Sequence, residues 1–403
     1  PYETLFDAEI HEKTGPEAML CLHGDAQEIK RRLCFLEDGC TLGRLLDIDV
    51  IAPDGRKLSR TEIGLSPRKC LLCENDAPVC ARSRAHSADE LFARAGEIID
   101  AHFEEAFIRR TAENAQRALL CEVAVTPKPG LVDRHNSGAH DDMDVFTFIH
   151  SACTLCGYFE TCTRIGLAHR GGNAQACFDA LRVPGLLAEA DMRRATADVN
   201  THKGAIFSLG IACASLGMSW GEPFSAERIL LRCGEMTRLR MQDELENARQ
   251  GQARTFGEQV YQKKGVGGVR AEAAGGFAGV RETALPRLNA ALDAGLTLND
   301  AALCALTALM ARTEDTNAVR RGGEAGAKAM REKAQMLDSR MTAAIAAGKA
   351  HEVLDDFRHE LTLWDQELTR QRISPGGCAD LLALALLMRF CEEDAGSSAY
   401  TAK

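Results

Sequence analysis

FEEAFIRRTAENAQRALLCEV (103–123) is the stretch on which the fold reading turns. From about residue 104 alanine and leucine dominate and β-branched residues thin out. The apolar positions of the stretch recur at helical spacing, which makes an amphipathic helix. The pattern returns in FTFIHSACTLCGYFETCTRIG (146–166), apolar enough for a central helix. IFSLGIACASLG (206–217), NDAALCALTALMAR (299–312) and ADLLALALLMRF (379–390) read as buried helices, and RILLRCGEMTRLRMQDELENA (228–248) as a partly exposed one. The expectation is a multi-domain chain, with a large all-α domain over 104–403.

Upstream, residues 1–103 mix strand and helix signals, so a small α/β (α+β) domain is expected there. EAMLCL (17–22) alternates as a strand, and DAQEIKRRLCFLED (25–38) reads as a helix. LLDIDVIAPDGRKLSR (45–60) reads as strand, PDG turn and strand. Ser87 to Glu90 forms a capping box for a further helix. Leu91, Phe92, Ala95, Ile98 and Ile99 would be the buried stripe of that helix.

Charge and composition exclude several classes. The 403 residues carry a net charge of −10, against nucleic-acid binding, which needs a basic face. No apolar run reaches the ~18 residues of a membrane span. Sixteen cysteines, several in alanine-rich stretches such as Cys213 and Cys304, read as small buried hydrophobes of a reduced, cytoplasmic protein. The chain opens at Pro1 without methionine, which points to a fragment or a processed form.

Three clusters carry chemistry. VTPKPGLVDRHNSGAHDDMD (125–144) is broken by two prolines and two glycines, so it is a loop. It sets Lys128 and Arg134 near His140 and Asp142, and cations with carboxylates on a rigid loop suit a metal-bound polyphosphate. Asp47 and Asp49 of the DID triplet would share one face of a strand and hold Mg²⁺ against a triphosphate. Arg44, Arg56, Lys57, Arg60, Arg68, Lys69, Arg82 and Arg84 lie nearby, a cation cluster that favours phosphate binding. Cys70, Cys73, Cys80 and His86 have the ligand types of a tetrahedral zinc site, at tighter spacing than a common zinc finger.

TPKPGLVDR with GAHDDMD resembles triphosphoribosyl-dephospho-CoA synthase, which makes the prosthetic-group precursor of citrate lyase and of malonate decarboxylase. The resemblance continues through NTHKG (200–204), TFGE (255–258), GVRAEAAGGF (268–277), EDTNAVRRGG (314–323) and SPGGCAD (374–380). GRLLDIDV, LSR (58–60) and RKCLLCENDAPVCARSRAH resemble apo-citrate lyase phosphoribosyl-dephospho-CoA transferase over roughly residues 14–100, without that family's N-terminal portion. The second resemblance implies an acyl carrier subunit of citrate lyase as partner.

The first resemblance implies ATP and dephospho-CoA as substrates. A ribose hydroxyl of dephospho-CoA would displace adenine from the ATP ribose. Lys128, Arg134, Lys203, Arg270 and Arg321 would meet the triphosphate. Gly376 and Gly377 would let backbone approach a phosphate, with tight helix packing as the other reading. Asp142, Asp315 and Asp380 would hold Mg²⁺, although Asp380 stands near a helix start and could simply cap it. Glu272 would be the base and His140 a donor to adenine or phosphate. Two other readings stay open here. One is an all-α, Mg²⁺-dependent nucleotide or ADP-ribose hydrolase; the other is a zinc-held docking module in the first part.

Overall fold

The computed structural model describes residues 2–13, 15–247 and 268–396. The chain divides into two compact units, Pro1–Phe107 and Ile108–Lys403. TFGE (255–258) lies outside the described residues.

In the first unit, β1 (Glu3–Glu12) pairs antiparallel with β2 (Gly15–His23). The strand expected at 17–22 thus has a hairpin partner that the sequence reading did not place. Helix α1 (Ala26–Gly39) begins at Asp25, whose carboxylate accepts the Glu28 amide at 2.8 Å. Ile29 of α1 meets Val50 and Leu58 in a small core.

The two strands expected within 45–60 do not form. Only a bridge between Ile51 and Lys57 is present, with Leu58 N–H donating to the Val50 carbonyl. The reason lies in side chains of α1. Lys30 Nζ donates to the Ile48 carbonyl at 2.9 Å, and the Ile48 amide donates to Glu37 Oε1 at 3.2 Å. Side chains of α1 therefore satisfy the backbone groups that a ladder would have used.

Helix α2 (Ala77–Ser83) is followed by α3 (Ala88–Ala124). The capping box at the start of α3 forms as read: Glu90 N–H donates to Ser87 Oγ, and Ser87 N–H to Glu90 Oε2. The helices read separately at 88–99 and 103–123 are one 37-residue helix, in which the division between the units falls. The expected buried stripe is corrected, because Leu91, Phe92 and Ile99 are exposed.

In the second unit the regular elements among the described residues are helices. The segment expected as one central helix is two, α4 (Val145–Thr154) and α5 (Cys156–Ala168), parted at buried Leu155. After α6 (Ala174–Ala180) and α7 (Arg182–Ala195) comes α8 (Lys203–Met218), buried along most of its length and packed on α5. Helix α9 (Ala226–Asn247) is partly exposed, as its sequence indicates. Next are α10 (Gly268–Ala274), α11 (Leu285–Asp293) and the buried α12 (Leu298–Arg312). Then α13 (Thr316–Ala346) is interrupted at Gly323, and α14 (Ala350–Gln371) precedes α15 (Gly376–Gly396). Helix α15 packs on both α8 and α12, so the apolar segments at 206–217, 299–312 and 379–390 form one core. No helix among the described residues is long and apolar enough to cross a membrane.

Candidate active sites of the two units

The loop at 125–144 is rigid because two buried carboxylates hold it. Asp133 Oδ2 accepts from Thr126 Oγ1 and the Lys128 amide, and Asp133 Oδ1 from the amides of His135 and Asn136. Asp365 of α14 accepts from the Gly130 amide at 2.9 Å and from Asn136 Nδ2 at 2.8 Å. Gly130 has φ +71°, and a Cβ there would overlap the Ile373 carbonyl oxygen. Only glycine allows the loop to approach the turn before α15 this closely.

This loop forms one wall of a cleft of about 440 Å³. The other walls are the starts of α8, α10, α13 and α15. Of the residues expected at a site, Lys128, His140, Asp142, Lys203, Arg270, Arg321, Gly376, Gly377 and Asp380 line it. Glu272 and Asp315 line an adjoining hollow of about 250 Å³, which shares Gly268, Val269, Thr316 and Gly377 with the cleft. Arg134 lines neither: it is exposed and reaches Asn299 at 3.4 Å.

Several side chains have partners that local sequence could not show. Lys128 is buried, and its Nζ donates to Glu122 Oε1 at 2.5 Å and to the Glu122 carbonyl at 2.8 Å. Lys203 Nζ pairs with Glu189 at 2.9 Å. Buried Asp315 caps two helices. Its Oδ1 accepts the Asn317 and Ala318 amides of α13, and its Oδ2 accepts the Cys378 amide of α15. Gly376 and Gly377 have a packing reason for being small: a Cβ on Gly377 would stand 2.9 Å from Asp315 Oδ2.

Arg321 donates to the Ala139 carbonyl at 2.8 Å and to His140 Nδ1 at 3.2 Å. His140 therefore carries its proton on Nε2 and donates to Ser374 Oγ at 3.0 Å. Burial first, then the Arg321 charge, depresses the His140 pKa, which favours this neutral form. Burial raises the Asp315 and Asp380 carboxyls, Asp380 well above the usual range. Burial also raises Glu272, whose Oε2 accepts the Gly279 amide at 3.0 Å.

Glu122, Thr201, His202, Arg320 and Ser374 also line the cleft and were not singled out as site residues. Four of them fall inside quoted motifs, so motif membership was their signal. Glu122 had none, because its role depends on Lys128. His202 is buried, with Nδ1 at 2.7 Å from Ser151 Oγ. Its pKa is pushed down to about 3 by burial and by Lys128.

In the first unit a cavity of about 1190 Å³ is lined by Asp47, Asp49, Arg44, Lys57, Arg68 and Arg84, among others. The clamp of Lys30 and Glu37 on Ile48 leaves Asp47 and Asp49 both at the cavity wall. Lys57 meets Asp49 at 2.5 Å. Arg68 donates to the carbonyls of Gly43, Arg44 and Leu46, and Arg44 to those of Lys69 and Cys70. Cys70, Cys73, Cys80 and His86 converge, with ligand atoms all within 4.8 Å of one another.

The second unit thus offers a helical cleft that gathers cations, carboxylates and helix N-termini, and the first unit a cavity of its own lined by arginines and a carboxylate pair; both suit phosphorylated ligands, and the family matches define a two-part transferase. Known proteins agree. Residues 108–399 match the CitG family, ATP:dephospho-CoA triphosphoribosyl transferase, and residues 2–102 match CitX, apo-citrate lyase phosphoribosyl-dephospho-CoA transferase. Protein CitXG of Haemophilus influenzae is 35% identical over 384 residues, covering 93% of this chain and 79% of that protein. Protein CitXG of Leuconostoc mesenteroides subsp. cremoris is 34% identical over 391 residues, covering 94% of this chain and 81% of the relative. A probable 2-(5''-triphosphoribosyl)-3'-dephosphocoenzyme-A synthase of Vibrio cholerae is 40% identical over 278 residues, covering 68% of this chain and 85% of that one. The chain belongs to the CitXG family, the CitX–CitG fusion of citrate lyase prosthetic-group synthesis. Its second unit is a triphosphoribosyl-dephospho-CoA synthase, and its first carries the CitX transferase domain.

Proposed function

We propose that the cleft of the second unit is where ATP and dephospho-CoA react, with Arg270, Arg321 and the start of α8 facing the triphosphate. One observation carries this reading: segments around residues 128–142, 200–204, 268–270, 316–321 and 374–380 line a single cleft. Helix N-termini and guanidinium groups both favour phosphate oxygens. Lys203 would exchange Glu189 for a phosphate, while Lys128 acts from below through Glu122.

Mg²⁺ fits the donor set through Asp142 and Asp380. No group of three carboxylates meets among the described residues, but Mg²⁺ needs only one or two beside substrate phosphates. Asp380 is a carboxylate whose ionisation burial opposes, so a divalent cation would satisfy it. Bound there, Mg²⁺ supplies charge neutralisation of the triphosphate. Asp315, with both oxygens engaged by backbone amides, supports the starts of α13 and α15 rather than facing the metal.

In the reaction one C–O bond forms to the anomeric carbon and the bond to adenine breaks. The proton lost by the attacking hydroxyl balances the one adenine gains. Glu272, with a raised pKa in the adjoining hollow, suits the base role. His140, with Nδ1 taken by Arg321, orients Ser374 at the cleft wall and so acts as a positioning residue.

For the first unit, the reading is transfer to a serine of the citrate lyase acyl carrier subunit, in the cytoplasm. The added ribose carries a triphosphate in the synthase product and a single phosphate in the transferred group, so diphosphate leaves as the serine hydroxyl attacks the innermost phosphorus. Asp47 and Asp49 would hold Mg²⁺ there, and Arg84 and Lys57 would face phosphate.

The test is adenine release by the full chain with Arg270→Ala, Arg321→Ala and Asp380→Asn. The reading expects each to lower dephospho-CoA-dependent release while the fold persists by circular dichroism. Undiminished release in all three would overturn the cleft assignment.

A further inference from the structure

The Cys70, Cys73, Cys80 and His86 cluster has a geometry that its sequence spacing alone did not establish. Cys73 Sγ lies 3.5 Å from Cys80 Sγ and 3.4 Å from His86 Nε2. A tetrahedral site with Zn–S bonds of about 2.3 Å has S···S edges of about 3.8 Å. The observed spacing is close to that edge and far beyond the about 2.05 Å of a disulfide. The local backbone is shaped as a metal-binding knuckle. Cys70 N–H donates to the Asn75 carbonyl, Lys69 bridges to Asp76, and the Leu72 amide donates to Cys70 Sγ at 3.5 Å. An amide aimed at sulfur is the contact that a metal-bound thiolate accepts in such a knuckle.

We propose that Cys70, Cys73, Cys80 and His86 bind one Zn²⁺ in a closed site that builds a wall of the first unit's cavity. Binding forms three Zn–S bonds and one Zn–N bond and releases the thiol protons to solvent; no electron moves. With four protein ligands no position stays open for water or substrate, which makes the site structural rather than catalytic.

Its structural reach is legible from the contacts. The knuckle holds Cys70, α2 holds Cys80, and His86 stands just before the capping box of α3. Arg84, at φ +48°, lies in the turn between the last two ligands and faces the cavity. Arg44 binds the carbonyls of Lys69 and Cys70, which ties the knuckle to the segment leading to Asp47. Metal at this cluster therefore fixes Arg44, Arg84 and, through Arg68, the approach to the carboxylate pair. The metal assignment stands on the ligand cluster alone; only the wall's role rests on reading the cavity as the transferase site.

The test uses the full chain purified without chelators, wild type and Cys73→Ser, with zinc measured by mass spectrometry. We expect about one zinc per wild-type chain and at least a tenfold weaker affinity in Cys73→Ser. Co²⁺ exchanged into the wild type should show thiolate-to-cobalt charge transfer and the visible bands of a tetrahedral ion. Adenine release should be the same in both proteins, because Cys73 belongs to the first unit. Wild-type protein without zinc that also fails to bind Co²⁺ would overturn the proposal, as would a Cys73–Cys80 disulfide in protein kept reduced. Loss of zinc in Cys73→Ser with unchanged labelling of the carrier subunit would overturn the wall's role and leave the transferase reading intact, whereas full zinc occupancy in that variant would overturn the ligand assignment.

Discussion

The carboxylate of Asp380 occupies the space in which a side chain at Gly204 would stand. A Cβ on Gly204 would overlap Asp380 Oδ2, so the carboxylate lies directly against the first turn of α8. The starts of α8 and α15 thus meet through one carboxylate at the wall of the cleft. Alanine in an ordinary helix position is more favourable than glycine by about 1 kcal/mol. Gly204→Ala should do the reverse. It should lower the melting temperature and, by displacing Asp380, reduce adenine release roughly 100-fold. A variant as active and as stable as the wild type would show that Asp380 does not need this position.

Lys128→Ala should act on stability before it acts on substrate. It leaves Glu122 buried without its cation, which costs about 3–5 kcal/mol. Lys128→Ala combined with Glu122→Ala should recover part of the loss. Chemical denaturation of the two variants checks this. A stable Lys128→Ala protein with a raised KM for ATP would mean that the lysine reaches the substrate directly.

Asp315→Asn separates a capping role from a metal role. The asparagine oxygen can still accept the α13 amides, but its NH₂ would face the Cys378 N–H, donor against donor. A loss of about 1–3 kcal/mol is expected, measured by urea unfolding, whatever the Mg²⁺ concentration. Unchanged stability with a strongly raised Mg²⁺ requirement would return Asp315 to the metal.

His202 makes stability depend on pH. Its folded pKa of about 3 lies below the unfolded value of about 6.5. Between those values the unfolded chain binds the extra proton, so stability rises with pH. The contribution is complete above about pH 6.5 and is lost as pH falls toward 3. Melting temperatures of wild type and His202→Gln from pH 7 to 4 should converge as pH falls. The raised carboxyls of Asp315 and Asp380 are common to both proteins and cancel. Parallel curves would contradict burial of a neutral imidazole.

Much of this was readable in the sequence wherever signals are local. The helix at 25–38, the Ser87–Glu90 box and the three buried apolar helices depend on near neighbours and formed as read. Motif order pointed to most of the cleft, because those segments sit at helix starts and loops that the fold draws together. What local sequence does not show depends on distant partners. The backbone at Ile48 is taken by α1 side chains, so the strands expected at 45–60 did not form. Lys128 reads as a loop cation until Glu122 is seen beneath it. Asp315 reads as a ligand from its motif, and the structure adds the amides of α13 and α15 that both its oxygens accept. Arg134 stands within a motif, yet its side chain leaves the cleft for Asn299.

The most direct test of the account is mass spectrometry of the products that the full chain makes from ATP, dephospho-CoA and Mg²⁺, with adenine measured alongside. The account predicts dephospho-CoA bearing one added triphosphoribosyl group, one adenine per product, and loss of both in Asp380→Asn. Adenine released at the same rate without dephospho-CoA, leaving ribose triphosphate, would contradict it and make the cleft a hydrolase site.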